Sequence, residues 1–195
     1  NENCLWGWRD PENSAGIDVG SQTHSSMRDW YALLDTGHRA IATGNSDSHS
    51  VKANFAGVPR NYFPSSTDDP GSIDPREMID ALRSGDVVVS SGPMVRASIP
   101  DRGIHDDPRM ATADANGDVV IAVEIQAAPW IDVDRIRVIQ DGDEISTINV
   151  NSGRDRIRFE GDIRIPTKED GWIILLVEGD DSLAPMIEGK RRPVL

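Results

Sequence analysis

The sequence has a single cysteine, few aromatic residues and no long apolar run. A chain with Cys4 as its single cysteine cannot form an internal disulfide or a zinc site built from several thiolates. Aromatic residues make up 5 % of the chain, so a core must come mainly from Val, Ile and Leu. No window approaches the roughly 18 apolar residues of a membrane-spanning helix, so we expect no membrane partner.

The chain also has fewer positively than negatively charged residues. The chain has 20 Lys and Arg against 33 Asp and Glu, which gives a formal net charge of −13. Such a surface repels phosphate backbones and anionic lipid headgroups, so we expect neither a nucleic acid nor a membrane surface as a partner. The length of 195 residues allows one large domain or two small ones. Composition does not distinguish a cytoplasmic location from an exported one.

Two segments of the first half place a helix pattern before a strand pattern. Residues 25–37 have apolar side chains at helical spacing, and residues 39–44 read as a short buried strand. The same order recurs in residues 74–90, where Asp74 is the predicted N-cap, Glu77 completes a capping box and Gly85 is predicted to end the helix. This order is typical of α/β units, whose functional groups lie on loops at the carboxyl ends of strands.

The second half reads as β structure. Asp141-Gly142 between two apolar runs predicts a hairpin turn. Short runs with turns between them favour an antiparallel sandwich. We therefore predict one part over residues 1–95 and a second over residues 96–195. The predicted strand segments are 94–99, 118–125, 134–150, 156–165 and 171–179.

One short motif has metal-binding chemistry. Asp47 and His49 lie one residue apart, shortly after Gly44. On an extended stretch their side chains leave on the same side, and a carboxylate with an imidazole suits zinc, manganese or iron. The alternative is an Asx turn beside a surface histidine.

Three quoted stretches together resemble a known family. "WYALLDTGHRAIATGNSDSHS", "GVPRNYF" and "ALRSGDVVVSSGP" resemble, in this order, the carboxyl-terminal part of metallohydrolases. The group is the carbaryl-hydrolase-like one of the polymerase-and-histidinol-phosphatase (PHP) superfamily. The resemblance implies the last helix–strand units of a distorted (β/α)7 barrel, followed by an antiparallel β-sandwich extension.

The resemblance also implies site residues. Asp47 and His49 match the last metal-binding motif of the family, and Arg60 is a candidate for binding an anionic group of a small-molecule substrate. A divalent metal, zinc, manganese or iron, would activate a water that hydrolyses a phosphoester, carbamate or related bond. Nothing in the chain matches a separate catalytic residue.

The sequence departs from the family by lacking its earlier metal motifs. There are four histidines and no His-x-His pair. Two ligands do not complete a catalytic zinc site, which uses three protein ligands and a water. We therefore expect a fragment of such a hydrolase, inactive alone and possessing a metal only if a second chain completes the site. An open barrel edge predicts a homo-oligomer.

A non-catalytic alternative is a β-sandwich module that binds carbohydrate or protein. Trp130 and Trp172 in the β-rich half favour it, although Trp residues in a sandwich also serve as core. An exposed aromatic platform would support the binding module, and buried Trp rings would support the hydrolase fragment.

Overall fold

The structure is a computed structural model. It describes residues 8–9, 26–46, 48, 57–103, 105–151, 153–181, 183 and 192–193. Two helices are present there, α1 (Ser26–Asp35) and α2 (Pro75–Ser84). The strands are β1 (Trp8–Arg9), β2 (Arg60–Tyr62), β3 (Val88–Ser90), β4 (Met94–Ser98), β5 (Asp118–Gln126), β6 (Arg135–Gln140), β7 (Asp143–Asn149), β8 (Ile157–Pro166), β9 (Ile173–Glu178) and β10 (Arg192–Pro193).

The predicted barrel is wrong. The strands of the described residues form four small sheets, ordered β1–β10, β2–β3, β4–β5–β8 and β7–β6–β9, and every pairing is antiparallel. A (β/α)7 barrel needs parallel strands with a helix after each one. The described part of the chain contains two helices of ten residues and no closed barrel. The predicted strand over residues 39–44 is not formed either.

Two three-stranded sheets share one apolar core, and we call residues 94–178 the two-sheet region. Strand β5 alternates half-buried and buried residues along its whole length, as a strand covered on one face does. The inward residues of both sheets belong to one cluster, so the sheets pack face to face. Its strand members are Val119, Ile121, Val123, Ile125, Ile136, Val138, Ile163, Ile165 and Val177.

The hairpin predicted at Asp141-Gly142 is confirmed. It joins β6 to β7, and both turn residues have positive φ, 50° for Asp141 and 89° for Gly142. Two consecutive residues with positive φ match the right-handed twist of the flanking strands. The local sequence therefore determines this turn.

Residues 26–90, which we call the helical region, contact the two-sheet region through α1 and through Val58, a buried member of the shared core. Met27 and Tyr31 pack with Ile139 and Leu176 on the sheet face that lies opposite the shared core. The Tyr31 ring lies 4.8 Å from the Trp172 ring, centroid to centroid. Helix α1 thus covers one outer face of the two-sheet region.

Helix α2 has the predicted ends but not the predicted capping box. Asp74 Oδ1 accepts a hydrogen bond from the Arg76 N–H at 2.9 Å, and Gly85 ends the helix with φ 77°. The Glu77 carboxylate accepts hydrogen bonds from Ser65 and Ser66 instead of reaching back to the cap. Neither helix of the described residues could cross a bilayer, since both are too short and too polar.

Candidate functional site

The candidate site is the segment that leads into the Asp47-x-His49 motif. Asp47 and His49 themselves lie outside the described residues, so metal ligation by them stays a prediction. The structure describes the neighbours on both sides of Asp47, and the Ser46 and Ser48 hydroxyl oxygens lie 3.0 Å apart. The geometry of the site is therefore built from the backbone that precedes Asp47 and from strand β2.

Asn61 of β2 fixes the backbone three residues before Asp47. Its Oδ1 accepts a hydrogen bond from the Gly44 N–H at 2.8 Å, and its Nδ2 donates to the Gly44 carbonyl at 2.9 Å. The Nδ2 also lies 3.4 Å from the Asn45 Oδ1. One amide side chain thus satisfies both main-chain groups of Gly44, as a neighbouring strand would.

Gly44 is closely packed as well as hydrogen-bonded. A Cβ atom on this residue would overlap the Val89 Cγ1 and lie 3.3 Å from the Pro59 Cβ. Only glycine allows so close an approach of the backbone to β3 and to the chain before β2. The position of Gly44 is therefore fixed by packing from two elements in addition to the Asn61 side chain.

Arg60 is adjacent to Asn61 but belongs to the other face of β2. Successive side chains of a strand point to opposite faces, and the Arg60 guanidinium lies 5.9 Å from the Tyr62 ring centroid. Its Nε is buried and has no hydrogen-bond partner among the described residues. Arg60 is thus next to Asn61 in the chain, while its side chain does not share the Asn61–Gly44 contact.

Sequence reasoning missed Asn61. No strand was predicted over residues 60–62, so nothing in the sequence marked Asn61 as a strand residue with an unusual role. The partner, Gly44, is 17 residues away, and the sequence does not identify such a pairing. The described chain therefore adds a residue to the site that the motif alone did not contain.

A second group of charged side chains lies on the outer face of the β6–β9 pair. Glu178 is almost fully buried and bridges Arg135 at 2.8 Å and Arg137 at 3.1 Å. The guanidinium groups also bind Asp180 and Glu144, at 3.0 and 2.7 Å. Each arginine thus has two carboxylates, and this arrangement is typical of a closed structural network rather than a binding site.

Two neighbouring carboxyls, Asp132 and Asp134, hold the turn after β9. Both accept hydrogen bonds from the Asp180 N–H, at 2.9 and 2.7 Å. Burial raises the pKa of Asp134, and the adjacent Asp132 carboxyl raises it further. The backbone amides use these oxygens, so the pair serves to fix a turn.

The aromatic residues do not form a platform in the described part of the chain. Trp172 packs on Tyr31, and its Nε1 donates to Asp35 at 2.8 Å. Trp130 is 44 % exposed and stands alone on its loop. Trp172 is therefore partly buried between α1 and the outer sheet face and does not belong to the core between the sheets, whereas Trp130 is an exposed ring.

Comparisons with protein-family models, with curated proteins and with solved structures found no match. Within the described ranges no three His, Cys, Asp or Glu side chains are grouped as metal ligands. The Asp47-x-His49 motif and the geometry around Gly44 are therefore the features of the chain that bear on its function.

Proposed function

We propose that the chain is part of a metal-dependent hydrolase related to the PHP superfamily, acting on a phosphoester or a related ester or carbamate bond. Asp47 and His49 would supply two of the metal ligands. The observation that supports this most is the double hydrogen bond between Asn61 and Gly44. It holds the backbone that leads into the motif, and metal sites need such preorganised ligands. The proposal does not include a barrel.

In this proposal, the residues of this chain hold and orient the metal. A carboxylate and an imidazole suit zinc, manganese or iron. When bound, the metal would lower the pKa of a water and provide the hydrolytic nucleophile. Since a catalytic zinc has three protein ligands, a second polypeptide must complete the site, and this chain alone should not turn over substrate.

Arg60 is the proposed residue for an anionic substrate group. Its Nε is buried without a partner in the described part of the chain and is closed to a substrate, so the terminal guanidinium nitrogens would have to bind the phosphate or carboxylate oxygen. Because the side chain leaves β2 on the face opposite Asn61, the substrate would have to extend around the end of this strand.

Metal content tests the proposal directly. We would dialyse the chain with zinc or manganese, remove unbound metal and measure what remains by inductively coupled plasma mass spectrometry. We expect about one bound ion per chain or per assembly, lost in His49→Ala and kept in His105→Ala. Retention of the metal in His49→Ala would count against the proposal, whereas no binding by the unmodified chain would mean that a second copy of it does not complete the site.

A second candidate function is a non-catalytic module that binds carbohydrate or protein. It is favoured by Trp130, which is 44 % exposed on a loop of the two-sheet region, since sugars stack on exposed aromatic rings. A glycan array probed with the unmodified chain and with Trp130→Ala tests it. A signal that disappears in the variant would support this function.

A further inference from the structure

Trp130 is an exposed ring on a backbone turn whose conformation is fixed. The Ile131 N–H donates to the Ala128 carbonyl at 2.9 Å, which closes a turn with Pro129 and Trp130 at its centre. Proline pre-sets the backbone angle at the first central position of such a turn. The Ile131 side chain is buried in the core between the sheets. The turn therefore leads directly out of the core and presents Trp130, which is 44 % exposed, at the surface.

A buried arginine holds this turn from the interior. Arg158 of β8 is 3 % exposed, and its Nη2 donates to the Ala128 carbonyl at 2.9 Å and to the Ile131 carbonyl at 3.0 Å. These two carbonyls lie on either side of Trp130 along the chain. Burying a guanidinium is costly unless its donors are used, and here main-chain oxygens use them. The backbone under the ring is therefore fixed before a ligand arrives, which lowers the entropic cost of binding.

Two side chains of opposite charge lie beside the turn. Arg154, from the segment before β8, donates from its Nη1 to the Pro129 carbonyl at 2.9 Å. Its Nη2 lies 3.7 Å from the Asp181 Oδ2, and the two side chains are 70 % and 67 % exposed. An exposed ion pair of this length contributes little to stability. A donor and an acceptor therefore adjoin the turn that carries the ring, and both are open to solvent.

We propose that Trp130, Arg154 and Asp181 form a subsite for one ring of a neutral glycan. The apolar C–H face of a pyranose would stack on the indole ring. Arg154 would donate to one hydroxyl of the sugar, and Asp181 would accept a hydrogen bond from the neighbouring hydroxyl. This inference rests on the second candidate function, the carbohydrate-binding module, and is independent of the hydrolase.

Other ligand classes fit these three side chains less well. The Arg154 charge beside the turn disfavours a cation, and the Asp181 charge, in a chain of net charge −13, disfavours an anionic sugar. A protein partner would need about 800 Å² of surface on this chain. One indole ring with two polar side chains matches the size of a single sugar ring instead.

The indole N–H signals of the tryptophans test the subsite by nuclear magnetic resonance. We would titrate the isotope-labelled chain with the methyl glycosides of glucose, galactose and mannose. A ligand of this size binds with a Kd of about 1 mM or weaker, so the titration would extend to about 50 mM. We expect at least one glycoside to shift the Trp130 signal saturably, and Trp130→Phe identifies that signal by its loss. The signal of Trp172, whose indole N–H donates to Asp35, should not move.

Three variants separate the contributions of the side chains. Trp130→Ala should abolish binding, measured by saturation transfer to the glycoside protons. Arg154→Gln and Asp181→Asn should each weaken the Kd about tenfold, because each removes a hydrogen bond to a charged group. Asp181 makes no side-chain contact with the turn among the described contacts, so its variant is informative even if Arg154→Gln disturbs the turn. Asp80→Asn removes a similarly exposed ion pair on α2 and is the matched control, with an unchanged Kd.

Two results would overturn the subsite. One is the absence of a saturable Trp130 shift with all three glycosides, and the glycan array then shows whether the carbohydrate-binding module fails with it. The other is a Kd that stays unchanged in both Arg154→Gln and Asp181→Asn while Trp130→Ala loses binding. In that case the carbohydrate-binding module would stand, and only the roles of Arg154 and Asp181 would be wrong.

Discussion

The two-sheet region buries its large apolar residues, whereas helix α2 of the helical region leaves its large apolar residues exposed. In the two-sheet region, Ile125, Ile136 and Val138 are fully buried between the sheets. In the helical region, α2 buries only Ala81 of its residues and exposes Ile79. A pair of sheets with alternating side chains closes its own core, whereas a single amphipathic helix depends on a neighbour to cover its apolar face.

The two regions are nevertheless joined by specific contacts. Apart from α1, which lies on the β6–β9 pair, Arg39 binds Asp107 at 2.7 Å and Arg109 binds Asp86 at 3.0 Å. These ion pairs connect the loop before β5 to the helical region across the boundary predicted near residue 95. Both ion pairs are partly exposed and contribute little, so α1 and the buried core residue Val58 contribute most of the attachment.

We expect the largest difference between the regions in the free energy of unfolding that is lost when one isoleucine in each region is replaced by alanine. Ile136→Ala removes a fully buried side chain and should lower the free energy of unfolding by about 4 kcal/mol, toward the upper end for such changes. Ile79→Ala in α2 should cost less than about 1 kcal/mol, since the side chain is exposed. Urea unfolding of both variants measures this. Equal losses would contradict the comparison.

Removing one carboxylate charge from each region should show the same contrast in stability. Glu178→Gln leaves Arg135 and Arg137 partly buried with weaker partners, and we expect a loss of about 3 kcal/mol. Asp80→Asn in α2 breaks only an exposed pair and should change stability by less than about 1 kcal/mol. Urea unfolding at neutral pH gives both values. A large effect of Asp80→Asn would mean that the Asp80–Arg83 ion pair makes a substantial contribution to stability.

Local chemistry predicted several elements correctly. Asp74 and Gly85 identified both ends of α2, and Asp141-Gly142 identified a hairpin. These features depend on backbone conformations that neighbouring residues determine. The resemblance to barrel enzymes failed for the fold because strand pairing is non-local. A short apolar run such as residues 86–90 is compatible with a parallel or an antiparallel neighbour.

The candidate site shows the same limit. The motif identified Asp47 and His49, which lie outside the described residues and stay a prediction. Asn61 was missed because its role depends on Gly44, 17 residues earlier in the chain. The exposed side of α2 was also not predictable, since amphipathicity identifies an apolar face without showing whether anything covers it.

The contact between the regions through α1 should depend on pH. Burial raises the pKa of Tyr31 to about 12, against a smaller opposing effect of Arg137. In the unfolded chain a tyrosine loses its proton near pH 10. Between about pH 10 and pH 12 the unfolded chain therefore binds fewer protons than the folded one, and the stability present below pH 10 falls by about 2–3 kcal/mol.

Tyr31→Phe is the control for this effect. It keeps the ring against Trp172 and removes the hydroxyl, which is buried without a hydrogen-bond partner in the described part of the chain. Urea unfolding at about pH 9 and about pH 11.5 should show a smaller loss in the variant, because other titrating groups cancel in the difference. Identical pH dependence in both proteins would show that Tyr31 ionises freely and that α1 is loosely attached.

The smallest expected effect comes from replacing Gly44. This substitution tests whether the glycine serves only the stability of the helical region or also metal binding. Gly44→Ala forces a methyl group onto Val89 and should lower the free energy of unfolding by about 1–2 kcal/mol through overpacking. Gly71→Ala is the matched control, because a Cβ there lies 3.5 Å from its nearest neighbour, in ordinary contact. Metal affinity by titration calorimetry should weaken in Gly44→Ala and stay unchanged in Gly71→Ala. If Gly44→Ala loses stability but keeps its metal affinity, the packing at Gly44 would serve the fold alone, and the Asn61 contact would have no part in placing the ligands.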